Sequence, residues 1–208
     1  MIRKVHISRI TGVLLCLIIL NGCMEKGNRG EIHLPADTFH DGDLAFRRGT
    51  GLTSRIVLAA DKSGDFSHVG ILKRIDGKWH VIHAVPGEPD HENDVDRVKL
   101  ETVEQFFAVK KAAKGAVLRV KDQAEAAERA ATHALMLYQA HILFDHDYDL
   151  TDTTRMYCTE LIDHVYKKEG IDLSEGRLSH IRIPGLGGDY LLPSDIAQSD
   201  KLRLIYSF

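Results

Sequence analysis

Three residues that could share one reaction are spread along the chain: Cys158 in Tyr157-Cys158-Thr159-Glu160-Leu161, His68 in Ser67-His68-Val69-Gly70-Ile71, and His83 in Val81-Ile82-His83-Ala84. A thiol becomes a strong nucleophile once deprotonated. It needs a base that can later act as acid, and a further group that holds the imidazole in one tautomer. The chain has 3 cysteines and 12 histidines, so number singles out no histidine and placement has to decide. Cys16 and Cys23 fall in and just after an apolar N-terminal stretch, which leaves Cys158 alone in the body of the chain without a disulfide partner. Such a cysteine is either an inert buried side chain or a reactive thiol.

The elements that carry these residues weigh on that choice. Leu161, Ile162, Val165 and Tyr166 mark one face of a helix ending before Gly170, which puts Cys158 at or within its first turn. Unpaired N–H groups and the positive end of the helix dipole favour an anion there. The thiol, with a reference pKa of about 8.5, is expected to be drawn toward thiolate, and the same N–H groups can receive an oxyanion. His68 opens an apolar strand, and His83 lies in the next strand across Ile75-Asp76-Gly77-Lys78, whose Asp-Gly pair is a strong hairpin signal. Cross-strand neighbours are close enough to hydrogen-bond, but on composition alone each histidine reads more readily as a surface or satisfied core residue.

Around this hairpin the pattern predicts a strand over 43–46, a helix over Thr53–Ala60 capped by Thr53 or Ser54, and an exposed loop over 86–96. Val98, Leu100, Val103, Phe106 and Phe107 read as one short amphipathic element, followed by a strand over 116–120. A long helix over 122–143 carries Ala127, Ala131, Leu135 and Tyr138 on one face. The sum is an α+β domain: a small, mostly antiparallel sheet packed against helices.

At the N-terminus, Arg3, Lys4 and Arg9 precede an apolar run from Ile10 to Leu20 that is shorter than the roughly 18–20 residues needed to span a bilayer. It ends in Leu20-Asn21-Gly22-Cys23, which resembles a bacterial lipoprotein signal. The expected organisation is a signal peptide over 1–22, a tether over 23–35 and one catalytic domain over 36–208. The lipoprotein resemblance implies lipid on Cys23 and anchorage in the cell envelope. Met24 in place of Asp points to the outer membrane, facing the periplasm.

A net charge of −3 with both signs interspersed gives no broad basic surface, which excludes nucleic acid as a partner. Asp145-x-Asp147-x-Asp149 imitates a calcium loop, but Leu150 stands where Gly belongs and Met156 where Glu belongs. His80 and His83, at an odd spacing on a strand, point to opposite faces. No metal site and no organic cofactor is expected.

The His-Val-Gly-Ile and Ile-His-Ala segments resemble the histidine half of the NlpC-type cell-wall cysteine peptidases. There the cysteine helix precedes the histidine; here Tyr157-Cys158-Thr159-Glu160-Leu161 follows it, with Gly42-Asp43-Leu44 near the start. That reversed order resembles the circularly permuted papain-like amidases of the YaeF/YiiX family, over about 41–168. The resemblance implies that Cys158 is the nucleophile, His68 the general base and His83 the orienting residue, with Tyr157, Glu160 and Ser67 beside the substrate. Several members of the family carry Glu where His83 stands. Glu160 reads either as a partner for a substrate amine or as a first-turn residue favoured by the helix dipole. The implied activity is hydrolysis of an amide in a peptide or cell-wall fragment through a thioester. Lipid amide hydrolysis, acyl transfer, and a non-catalytic envelope protein that binds an amine-bearing ligand are the alternatives.

Overall fold

The computed structural model describes residues 32–61, 64–89, 91–182 and 187–208. The expected signal peptide and Cys23 lie outside the described residues. The strands are β1 (Leu44–Gly49), β2 (His68–Ile75), β3 (Lys78–Val85), β4 (Arg97–Thr102), β5 (Ala112–Val120), β6 (Ser179–Ile181), β7 (Gly188–Tyr190) and β8 (Leu202–Ser207). The helices are α1 (Leu52–Ala60), α2 (Val103–Phe106), α3 (Ala124–Gln139), α4 (Cys158–Lys167) and α5 (Pro193–Ala197). Six strands form one sheet in the order β4-β3-β2-β1-β5-β8, with every pairing antiparallel, and β6 and β7 form a separate hairpin. This is the expected α+β arrangement.

Strand alternation divides the sheet into two apolar faces. Phe46, Val69, Ile71, Ile82, Ala84 and Val98 pack beneath α3 and α4, against Ala127, Ala131, Leu161 and Val165. Leu72, Val81 and Val117 turn the other way, onto Phe39, Val103, Phe106 and Phe107. The small side chains of α3 allow a close approach to the chain before β1. A Cβ on Gly42 would lie 2.3 Å from the carbonyl oxygen of Ala127, and its φ of +87° suits glycine as well. Tyr166, fully buried on α4, donates its hydroxyl to the Gly42 carbonyl and ties the cysteine helix to the same spot.

The Asp76-Gly77 turn forms as read, with φ of 49° and 78°, the doubly positive pattern of a two-residue hairpin loop. Three boundaries differ from the sequence reading. α1 begins at Leu52 with Gly51 as its cap and no side-chain capping bond, so neither Thr53 nor Ser54 fills that role. The stretch read as one amphipathic element is two: β4, then α2, divided by Thr102, whose hydroxyl accepts from the Gln105 N–H while the Gln105 side chain accepts from the Thr102 N–H. The long helix stops at Gln139, and Leu143 instead forms isolated bridges with Arg97 and Arg155. No described helix is long and apolar enough to cross a membrane.

Candidate active site

Cys158 is the first residue of α4, and several contacts fix that helix start. The Glu160 carboxylate accepts from the Tyr157 N–H at 3.3 Å, giving the backbone the acceptor that a helix start lacks. The Tyr157 hydroxyl accepts from the Leu191 N–H at 3.3 Å, and the Thr159 hydroxyl donates to the Leu191 carbonyl at 2.6 Å. The segment after β7 thus grips both sides of the cysteine. The ring of Tyr148 packs on that of Tyr157, with centroids 5.2 Å apart.

Cys158 is half-buried as a residue, with its thiol enclosed. Burial by the atoms around it pushes it up to about 11, although the N–H groups of Val69, Thr159 and Cys158 itself favour the thiolate. The expectation of a thiol drawn toward thiolate by the helix start is therefore not met: desolvation outweighs the aligned N–H groups. In its resting form the site holds a neutral thiol.

His68 and His83 are brought together. The two strands are paired from Ile71–Ile82 outward, so Gly70 falls across from His83 and His68 lies beyond it at the open end. A Cβ on Gly70 would stand 2.4 Å from Val81 Cγ1 and 2.9 Å from His83 Cβ. The missing side chain leaves room for His83 to lean toward His68, whose Nε2 lies 2.9 Å from His83 Nδ1. Both rings are buried and pack on the Phe106 ring, at centroid distances of 5.7 Å and 5.3 Å.

Behind His83 stands a carboxylate that the sequence reading missed. Glu101 Oε1 is 3.0 Å from His83 Nε2, on an oblique approach that pairs charge with the ring N–H without a straight hydrogen bond. Lys111 reaches Glu101 at 2.6 Å and Glu88 at 2.7 Å, and Arg47 contacts both carboxylates while its guanidinium sits 4.5 Å from the Phe106 ring centre. Burial by itself would raise the Glu101 carboxyl, but the contacts from His83 and Lys111 overturn this and hold it at about 2. Burial lowers the pKa of His68 well below the ordinary value, aided by Arg47, His83 and Lys111, so the ring is a neutral base. His83 is lowered as well, chiefly by burial, with Glu101 opposing.

The thiol and the imidazole reach the site from opposite faces of the sheet: Cys158 packs with the α3–α4 core, and His68 packs on Phe106. Among the described residues no hydrogen bond joins Sγ to the His68 ring. The thiol instead meets the N–H of Val69, the residue that follows His68. With Nε2 of His68 turned to His83, Nδ1 is the ring nitrogen left for the thiol. Catalytic contacts commonly tighten only when substrate binds.

The remaining sequence candidates are engaged in local structure. Ser67 Oγ accepts from the Gly49 N–H at 2.9 Å and joins the end of β1 to the start of β2. Glu160 caps the helix start through the Tyr157 N–H, and it also lines a cavity of about 610 Å³ with Asp163, His164 and Leu191. Burial, with Asp145, Asp152 and Asp149 nearby, raises Glu160 to about 8. Asp145 is fully buried and accepts the N–H groups of Asp147 and Asp149, so the acidic triplet shapes the approach to Tyr157. Among the described residues no group of three or more His, Cys, Asp or Glu is arranged to hold a metal ion.

Comparison with known proteins agrees with this fold. A family model described as permuted papain-like amidase enzyme, YaeF/YiiX, C92 family, matches residues 38–206. A solved structure described as the metalloprotein yiiX from Escherichia coli O157:H7 is similar in fold, with a TM-score of 0.63 and 20% identity over 81% of this chain and 97% of that one. No curated protein matches the chain.

Proposed function

Because the chain belongs to the permuted papain-like amidase family, and so is a papain-like hydrolase, we propose that it is a lipid-anchored thiol hydrolase of the cell envelope that cleaves an amide in a peptide or cell-wall fragment. Cys158 is the nucleophile, His68 the base and His83 the residue that orients His68. The observation that carries this reading is the His68–His83 contact at the open end of β2, one residue from the N–H that meets the Cys158 thiol.

The thiol proton passes to Nδ1 of His68 as Sγ bonds to the substrate carbonyl carbon. The resulting oxyanion is held by backbone N–H groups at the start of α4 and β2. The carbon–nitrogen bond then breaks, the imidazolium returns its proton to the departing amine, and a thioester remains on Cys158. Water, deprotonated by His68, attacks the thioester, and the released thiolate takes the proton back. A neutral resting pair of thiol and imidazole makes the first proton transfer part of the barrier. The anchor on Cys23 would keep the domain near its substrate in the envelope.

A second reading, lipid amide hydrolysis or acyl transfer, is favoured by Leu52 and Ile56, which stand one turn apart and exposed on α1. That helix follows the Gly49–Ser67 contact beside His68. Incubation with muropeptides and, separately, with N-acyl amines, followed by mass spectrometry, distinguishes the readings. New amine and carboxylate termini from muropeptides support peptide cleavage, and products from N-acyl amines alone overturn it.

A further inference from the structure

The imidazole pair is continued by a third group, the carboxylate of Glu101. His83 Nε2 faces Glu101 Oε1 at 3.0 Å, and His83 Nδ1 faces His68 Nε2 at 2.9 Å. One proton lies between the two rings, and whichever ring donates it fixes which nitrogen of His68 is left without a proton. Resting on the reading of Cys158 and His68 given above, we propose that Glu101 is a positioning residue: it takes the His83 Nε2–H, makes His83 Nδ1 an acceptor and His68 Nε2 a donor, and leaves His68 Nδ1 bare to accept the thiol proton.

The surroundings favour this role over a purely structural one. Glu88 already pairs with both Lys111 and Arg47, so the two cations have a carboxylate without Glu101. The other charged groups around His83 are Glu88, whose carboxylate is held by Lys111 and Arg47, and two cations: Lys99, directly across on β4 and bonded to Asp94 at 2.9 Å, and Arg47 on β1. Both are permanent donors at neutral pH and neither can accept the His83 proton. Glu101 is the acceptor within reach, and its contacts with His83 and Lys111 keep it ionised. A carboxylate only accepts, whereas an amide in its place can turn its NH2 toward His83 Nε2, with its oxygen toward Lys111 and Arg47, and so hold the opposite tautomer.

Ring 15N spectra of the folded protein read the proton positions without any substrate. In the wild type, His68 is expected to carry its proton on Nε2, with Nδ1 bare. In Glu101→Gln the His68 proton is expected to move to Nδ1 or to average over both nitrogens, while Glu101→Asp keeps the wild-type order. Alkylation of Cys158 by iodoacetamide near neutral pH is expected to slow roughly tenfold or more in Glu101→Gln and to recover in Glu101→Asp. A wild-type His68 protonated on Nδ1, or a Glu101→Gln protein with unchanged spectra and alkylation, overturns the proposal. The wild-type spectrum alone decides if Glu101→Gln does not fold. A wild-type Cys158 that resists iodoacetamide would count against its role as nucleophile, a separate failure from that of the proton order.

Discussion

Two opposing forces act on Cys158, and their balance sets how it reacts. The N–H groups of Val69, Thr159 and Cys158 favour the thiolate, while burial favours the thiol and prevails, leaving the group at about 11. The alkylation rate of Cys158 is therefore expected to keep rising as pH climbs past the ordinary thiol range of about 8.5, where a plateau would contradict the neutral resting thiol. Glu160 is raised to about 8 from 4.5, so the folded state holds a proton that the unfolded state releases. The sign follows: stability from this group falls as pH rises between those values. Glu160→Gln keeps an acceptor for the Tyr157 N–H and removes the buried charge. Its melting temperature at pH above 8 should exceed that of the wild type by roughly 2–4 °C, the shift that about 1 kcal/mol produces in a domain of this size. Equal melting curves would show that the charge is solvated after all.

At the level of elements, the β2–β3 hairpin is what makes the histidines a pair. Gly70 sits where a side chain would strike Val81, His83 and the backbone of β3. Gly70→Ala is expected to destabilise the fold by about 1–3 kcal/mol, the usual range for overpacking, and to part the two rings. Thermal melting combined with ring 15N spectra checks both effects, and an unchanged His68–His83 contact would refute the steric account. This hairpin was legible in the sequence, because Asp76-Gly77 and the apolar runs on either side are local signals. So was α4, from the spacing of Leu161, Ile162, Val165 and Tyr166. Glu101 was not. It lies in a stretch where the two-residue alternation of Val98 and Leu100 passes directly into the helical spacing of Val103 and Phe106, and the join at Thr102 was overlooked although Thr102-x-x-Gln105 is a helix-start signature. Its contact with His83 also depends on a diagonal across β3 and β4, a matter of register that local pattern does not fix. The family resemblance ends at about Lys168, so β6 to β8 and α5 carry no local signal for the site, yet Leu191 grips the cysteine helix from that region.

Across the whole molecule, one sheet with two covered faces brings a helix-borne thiol and strand-borne imidazoles to the same strand end. Burying that many titratable groups has a cost that varies with pH. His68 and His83 both have lowered pKa values, so the unfolded state binds protons more readily than the folded one below about 6.5, and stability is lost as pH falls through that value. Glu101 acts in the same direction further down, since its stabilisation is present above 4.5 and lost toward about 2. Glu160 opposes this between 4.5 and 8, so the test uses Glu160→Gln: chemical denaturation of that variant from neutral to acid pH should show falling stability, with the loss beginning near 6.5. A curve flat to below pH 5 would contradict the buried neutral pair. The central claim is that Cys158, served by His68, breaks an amide bond. Mass spectrometry of muropeptides treated with the wild type and with Cys158→Ala tests it most directly. The account predicts new amine and carboxylate termini with the wild type and none with a folded Cys158→Ala variant; equal product from the two proteins would contradict it.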